Sequence, residues 1–247
     1  MKLYKHILVI ATIVLLTSCT FTENIYINED GTGKFSVDMD DSGLMAMMPA
    51  DSLGTTKPMD STFTFKQLFE EKKDSIAKLP IEQQQRLKKL EGFSMRTKMI
   101  PAEKQFMFSV FTDFKNVSDL QDAMTTINDA QGAAKDKSVD NPLLPSSGFG
   151  NNNSILKYSY DGKKFTRKAT ILKKEVASTE NDSVEAAYKM IFESSTYTIK
   201  YHFPKKVKKV SNKKALYSED RKTITIEFPF NEYMKEPEKL NFEVEFE

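Results

Sequence analysis

Cys19 is the only cysteine among 247 residues, and its thiol is a side chain that could do chemistry. A thiolate can act as a nucleophile or bind a metal ion. A catalytic thiol needs a base beside it, and the only histidines are His6, in the N-terminal region, and His202, on the polar face of an alternating segment. One cysteine cannot form a disulfide within its own chain. The sequence therefore favours an attachment point.

The N-terminal segment has the layout of a secretory signal peptide. Lys2 and Lys5 form a positively charged start, residues 7–16 are apolar, and small polar residues follow. The apolar run is too short for a membrane-spanning helix, which needs about 20 residues. The sequence therefore predicts export of the chain.

The residues Leu16-Thr17-Ser18-Cys19 resemble the lipobox of bacterial lipoproteins, with a leucine three positions before the cysteine and a small residue directly before it. The resemblance implies that residues 1–18 are recognised and removed as a signal peptide, and that Cys19 carries acyl chains that anchor the protein in a membrane. Two or more acyl chains give stable attachment, whereas one is marginal. The alternative is an ordinary signal peptide that ends by chance in a cysteine.

The same resemblance implies a location in the bacterial cell envelope, facing the periplasm. Acidic residues directly after the cysteine act as sorting signals in some bacteria, but Thr20-Phe21-Thr22 follows here. The choice between the two membranes therefore stays open, with the outer membrane favoured over the inner.

Composition argues against a general nucleic-acid binder. From Cys19 onward the chain has 229 residues, and we interpret 19–247 as a single domain. Without the two lysines of the signal peptide, 34 basic residues face 35 acidic ones, which gives a formal charge of −1. This balance provides no general basic surface for nucleic acid.

Apolar and polar residues alternate in many short segments, as in strands that bury one face. The clearest segments are 25–39, 93–99, 106–114, 155–160, 164–172, 197–203, 224–228 and 240–246. Helical spacing after Thr64, Pro80, Ser118 and Asp182 predicts about four helices. We therefore predict an α+β fold with a large, curved, mainly antiparallel sheet and the helices packed on one side. Residues 49–61 and 132–153 are predicted loops.

The sequence predicts no metal ion, no cofactor and no catalytic residue. Met45, Met47 and Met48 could bind copper(I), but their preferred interpretation is apolar packing. The carboxylates within 38–41 lack the ligand spacing of a calcium loop. The sequence also lacks a nucleotide-binding loop, a zinc-ligand spacing and a serine-hydrolase motif.

The segment PKKVKKVSNKK is the strongest concentration of charge. Its lysines could dock on anionic lipid headgroups, at about 1 kcal/mol for each well-placed lysine. The alternative, which we favour, is a solvated edge strand whose lysines prevent pairing with other sheets. The six lysines of this candidate anionic-surface patch are Lys205, Lys206, Lys208, Lys209, Lys213 and Lys214.

Two segments resemble the LppM-like bacterial lipoproteins. INEDGTGKFSVDMDDSGLM (27–45) has a hairpin around an Asp-Gly turn and a short helix, and YTIKYHFPKKVKKVSNKKALYSEDRKTITIEF (197–228) has a strand that ends in proline, a charged turn and another strand. The resemblance implies an α+β domain with a hydrophobic cavity for envelope glycolipids. Some relatives carry a C-terminal transmembrane helix, whereas this sequence ends on the strand 240–246, so Cys19 is the expected anchor.

Three functions follow as hypotheses. The first is a non-enzymatic lipoprotein that binds a lipid or another amphiphile in an apolar site, because the inward positions are rich in Phe and Met. The second is a module that binds a protein partner in an envelope assembly. The third, an enzyme that acts on envelope polymers, is disfavoured because no nucleophile or acid–base pair is recognisable.

Overall fold

The chain forms an α+β structure made mostly of strands, as the alternating pattern predicts. It is a computed structural model that describes residues 20–47, 57–121, 127, 154–171 and 195–247. Four predicted features lie outside these residues: the signal peptide with Cys19, most of the loop 49–61, the loop 132–153, and the helix after Asp182.

Eight strands form a large sheet. They are β1 (Thr20–Ile27), β2 (Gly33–Asp40), β3 (Met59–Thr64), β4 (Ser94–Ile100), β5 (Gln105–Phe114), β8 (Thr196–His202), β10 (Leu216–Tyr217) and β11 (Thr223–Pro229). Their order across the sheet is β10-β11-β8-β1-β2-β5-β4-β3. All neighbours are antiparallel except β1 and β8, which run parallel.

A second sheet has four antiparallel strands in the order β6-β7-β12-β9. These strands are β6 (Ser154–Tyr160), β7 (Lys164–Ile171), β9 (Val207–Val210) and β12 (Phe242–Phe246). Within the described residues, the helices with defined bounds are α1 (Ser42–Met47), α2 (Phe65–Glu71), α3 (Lys73–Ile76), α4 (Ile81–Lys88) and α5 (Phe230–Lys235), with 3₁₀ turns at Pro101–Glu103 and Pro237–Leu240.

Local signals in the sequence locate several elements correctly. Gly31 joins β1 to β2 at φ +82°, a left-handed conformation that favours glycine. At the start of α2, Thr64 Oγ1 accepts the backbone N–H of Gln67 at 3.2 Å, and Gln67 Oε1 accepts that of Thr64 at 3.4 Å. A capping box therefore begins the helix that the sequence predicts after Thr64.

The structure adds detail to the predicted large, mainly antiparallel sheet. The strands divide between two sheets, and β3 begins at Met59, inside the predicted loop 49–61. The helix α5 and the following 3₁₀ turn were not predicted. Alternation shows which side chains share a face, but it does not identify the neighbouring strand, and this explains why the division was missed.

The two sheets pack face to face through an aromatic core. The ring centroid of Phe165 on β7 lies 5.4 Å from those of Tyr201 and Phe203. On α5, Phe230 packs 4.3 Å from Phe21 of β1. Beyond β2 the inward face of the large sheet meets Phe65 of α2 and other apolar residues outside the strands, within the same buried cluster.

Candidate functional site

An open groove of about 590 Å³ lies on the outer face of the large sheet, the face turned away from the small sheet. It crosses β2, β5 and β4, and Tyr26 of β1 and Asp60 of β3 lie at its two sides. The outer positions of these strands are polar by alternation, so the groove is built from residues that the sequence marks only as solvated.

Short side chains around one aromatic ring shape the floor of the groove. Ser36 of β2 lies opposite Phe111 of β5, and Phe111 lies opposite Ser94 of β4. The half-buried ring therefore has a serine on each side. Because serine is small, the two serine side chains leave room above the sheet on either side of the ring.

Hydrogen bonds fix the polar side chains beside this row. Asn24 Nδ2 donates to Asp38 Oδ2 at 2.6 Å and to Ser36 Oγ at 3.2 Å, and Ser36 Oγ donates to Asp38 Oδ2 at 3.1 Å. Asn24 is only 8% exposed. The groove therefore presents oxygen atoms at set positions, an arrangement that favours recognition of a specific ligand.

A salt bridge closes the opposite side of the groove. Arg96 donates from Nε and Nη2 to the two carboxylate oxygens of Asp60, at 2.9 and 2.8 Å. The hydrogen bond from Arg96 lowers the pKa of Asp60, and the same bond raises the pKa of Arg96. Both side chains are about half exposed, so water still reaches the pair.

The groove has the chemistry of a binding site for a polar ligand. Hydroxyl groups and charges of both signs can hydrogen-bond to a ligand, and the ring of Phe111 can pack against a flat apolar face. Neither a histidine nor a cysteine lines it. In the described part of the chain, no group of three His, Cys, Asp or Glu side chains could hold a metal ion.

A second polar cluster is buried between the two sheets. Glu23 of β1 lies 3.5 Å from Arg167 of β7, measured from Oε2 to Nη2, and both side chains are fully buried. Tyr158 donates its hydroxyl to Glu23 Oε1 at 2.8 Å, and Tyr197 and Tyr201 of β8 donate to Oε2 and Oε1. We call these five residues the inter-sheet cluster.

The register of the central strands explains how three hydroxyls reach one carboxylate. Tyr197 and Tyr201 pair with Phe21 and Ile25, two positions before and after Glu23 on the neighbouring strand. Tyr158 and Arg167, a directly opposed pair on β6 and β7, approach from the small sheet. Arg167 also donates from Nη1 to the backbone oxygen of Leu240 at 3.1 Å.

The surroundings of each group in the inter-sheet cluster determine whether that group is charged. Burial raises the pKa of Glu23, but the Arg167 charge and the three hydroxyl donors outweigh it, so its pKa lies below the ordinary value. Burial, followed by the Glu23 charge, raises the pKa of Tyr158, Tyr197 and Tyr201 well above the usual range. Glu23 is therefore ionised and the tyrosines are neutral at neutral pH.

The inter-sheet cluster joins the sheets and is sealed from solvent, so a diffusing ligand has no access to it. The inter-sheet cluster is not among the sites predicted from the sequence, although the sequence contains a signal for it. Glu23 shares the inward phase of Phe21 and Ile25, and Arg167 shares that of Phe165 and Ala169. A charged residue at an inward position of a strand is uncommon unless a partner neutralises it.

The predicted lysine patch extends along the edge of the small sheet. Val207 and Val210 point into the core, and all six lysines are exposed on or beside the edge strand β9. Lys205 Nζ donates to the backbone oxygen of Gly162 at 2.8 Å, and Lys214 Nζ lies 5.7 Å from the ring centroid of Phe228. This arrangement fits the edge-strand interpretation.

Other residues considered in the sequence have structural surroundings. His202 is on the outer face, stacks on Tyr26 at 3.9 Å between ring centroids, and has Nδ1 2.9 Å from Thr223 Oγ1. Burial lowers its pKa. Met45 is buried, and Asp38 belongs to the groove rather than to a solvated turn.

Comparison with known proteins gives one similar structure. The folded domain of the LppM protein of Mycobacterium tuberculosis, solved by NMR, matches with a TM-score of 0.38 and 9% sequence identity, over 85% of this chain and 82% of that chain. At this TM-score the similarity carries no argument about ligand or function. No protein-family model and no curated protein sequence matches the chain. No helix among the described residues is long and apolar enough to cross a membrane.

Proposed function

We propose that the protein is a non-catalytic lipoprotein of the cell envelope, anchored through acylated Cys19, which binds a polar, hydroxyl-rich ligand in the groove on the outer face of the large sheet. The single observation that carries the ligand site is the half-buried ring of Phe111 between Ser36 and Ser94, bordered by fixed carboxylates. A ring with hydrogen-bonding groups around it suits a sugar-like ligand, which has both hydroxyls and a flat apolar face.

The interior supports this choice over the lipid site predicted from the sequence. The inward apolar side chains of both sheets belong to one packed cluster, and the groove opens to solvent. Lipid binding in an apolar interior stays a prediction from the sequence, as does binding of a protein partner.

Co-purification tests the ligand site. The full chain is extracted from its own membranes in mild detergent, and molecules released on denaturation are identified by mass spectrometry in polar and lipid extracts. We expect a stoichiometric polar compound that is lost from Phe111→Ala. Tyr217→Ala is the matched control, because Tyr217 is an exposed aromatic residue of the same sheet outside the groove.

Two other outcomes would overturn the groove as the ligand site. A lipid recovered equally from the native protein and Phe111→Ala would support the apolar interior. A protein recovered in place of any small molecule would support the interaction module. The anchor is tested separately, because Cys19→Ser should release the chain from the membrane and remove the acyl mass from its N-terminal peptide.

A further inference from the structure

The strands of the large sheet define two ends of the molecule. At one end, which we call the anchor end, Thr20 pairs with Asp40 and Thr196, and Met59 pairs with Met99. At the opposite end, the distal end, Ile27 pairs with Gly33, Gly33 pairs with Phe114, and Tyr26 pairs with His202. At about 3.3 Å per residue, β1 separates these ends by about 23 Å.

The small sheet can be placed on the same axis through its contacts. Phe203, directly after the distal end of β8, packs against Phe165 near the start of β7 and, at 4.9 Å, against Phe246. Farther along β7, Arg167 reaches Glu23 in the middle of β1. The strand β7 therefore runs from the distal end towards the anchor end, where it finishes at Ile171.

Two exposed apolar residues, one from each sheet, lie towards the anchor end, whereas Tyr26, Leu216 and Tyr217 are exposed farther along the large sheet. Met59 is 42% exposed at the start of β3, and Ile171 is 38% exposed at the end of β7. The turn from β4 to β5 adds Ile100 and Pro101, which are partly exposed. Charged residues of both signs, including Asp40 and the lysines 57, 98 and 104, surround them.

We infer that the anchor end is a docking surface for the lipid bilayer that holds Cys19. This inference rests on the proposed acylation of that residue. Because Thr20 directly follows Cys19 in the sequence and is the first residue of β1, acylation of Cys19 would hold this end of the sheet close to the headgroups. An apolar surface with charges of both signs is suited to the zwitterionic and anionic groups of that interface.

The part of the lysine patch around Lys205 is then too far from the membrane to be its main contact. Lys205 lies at the distal end, where its Nζ binds the oxygen of Gly162 in the β6–β7 turn. A separation of about 20 Å from the headgroups exceeds the Debye length of about 8 Å at physiological salt, so attraction to anionic lipid is strongly screened there. The patch extends back along the molecule as far as Lys214, beside Phe228, which pairs with Tyr197 near the anchor end.

Hydrogen exchange on liposomes tests this orientation. The acylated full chain is compared with a variant that has 20 Gly/Ser residues inserted between Cys19 and Thr20, since such a linker reaches about 25 Å. Two exposed turns serve as matched probes, the β4–β5 turn at the anchor end and the β6–β7 turn at the distal end. We expect the amides of residues 102–104 to exchange at least about threefold more slowly without the inserted linker, and those of 162–163 to be unchanged.

The docking surface would be overturned if the inserted linker changed exchange equally at the two turns. It would also be overturned if the distal turn were the one that exchanged more slowly without the linker. Mass spectrometry of the N-terminal peptide keeps this result separate from the proposed function. If Cys19 carries no acyl chain, the proposed anchor fails, and the docking surface is then tested on the chain from Cys19 coupled to a maleimide lipid, with the same two turns as probes.

Discussion

The two polar clusters of this protein begin at neighbouring residues of one strand and have opposite roles. Glu23 points between the sheets, where Arg167 and three tyrosine hydroxyls surround it, and Asn24 points to the outer face, where it donates to Asp38 of the groove. The buried ion pair is 3.5 Å long, whereas the half-exposed Arg96–Asp60 pair has two hydrogen bonds of 2.8 and 2.9 Å. The pair with the shorter contacts is therefore the one in which water can take the place of either partner.

This difference shows that distance alone does not rank the two pairs. A buried charge that loses its partner cannot recover its hydration, so its removal is costly even when the native contact is long. An exposed pair loses little, because water takes the place of the partner. Stability should therefore respond to the inter-sheet cluster, and ligand binding should respond to the groove.

Arg167→Met should produce the largest effect. The substitution leaves the buried Glu23 charge without its cation, and we expect the free energy of unfolding to fall by about 3–5 kcal/mol. Urea denaturation followed by circular dichroism measures the loss. If the variant does not fold, Arg167→Lys supplies a folded comparison. A loss below about 1 kcal/mol in Arg167→Met would show that the tyrosine hydroxyls alone stabilise the carboxylate.

Acid should weaken the protein through the same cluster. The pKa of Glu23 is lower in the folded chain than its ordinary value of 4.5, so its contribution is present above that pH and is lost as the pH falls through the folded pKa. Unfolding measured between pH 7 and pH 3 should show this decline. Glu23→Gln should have a shallower decline, whereas an unchanged slope would show that exposed carboxylates control the acid response.

Tyr201→Phe should have a smaller effect, because Glu23 keeps Arg167 and two other hydroxyl donors. We expect a loss of about 1–3 kcal/mol, the range for a hydrogen bond to a buried charged group. Tyr217→Phe is the control, since its exposed ring should leave the free energy of unfolding unchanged. Equal values for the two variants would argue against the hydrogen bond to Glu23.

The sequence predicts the strands well because a period of two is a local property. Residues 93–99 and 106–114 are two of the predicted strands and pair with each other, and Thr64 begins a predicted helix. The parallel pairing of β1 with β8 could not be predicted, because it joins segments about 175 residues apart with no connecting turn to define it. The choice between one sheet and two depends on the same long-range pairing.

The inter-sheet cluster and the groove also differ in how far the sequence could predict them. The inward phase of Glu23 and Arg167 could have indicated a buried ion pair, since both lie among residues that form the core. The groove had no comparable signal, because Ser36, Ser94 and Phe111 are far apart in the sequence and look like ordinary outer-face residues. Only the register of β2, β5 and β4 brings them into one row.

Arg96→Ala should have the smallest effect on stability. Both members of its ion pair are about half exposed, and water can solvate Asp60 once the guanidinium is removed. The urea midpoint should stay within error of the native value, while the polar compound that co-purifies with the full chain should decrease. A loss of stability as large as that of Tyr201→Phe would contradict the comparison, because the outer-face pair would then hold β3 to the sheet. Unchanged stability with less bound ligand would show that the outer face of the sheet serves ligand binding and the inner face serves stability.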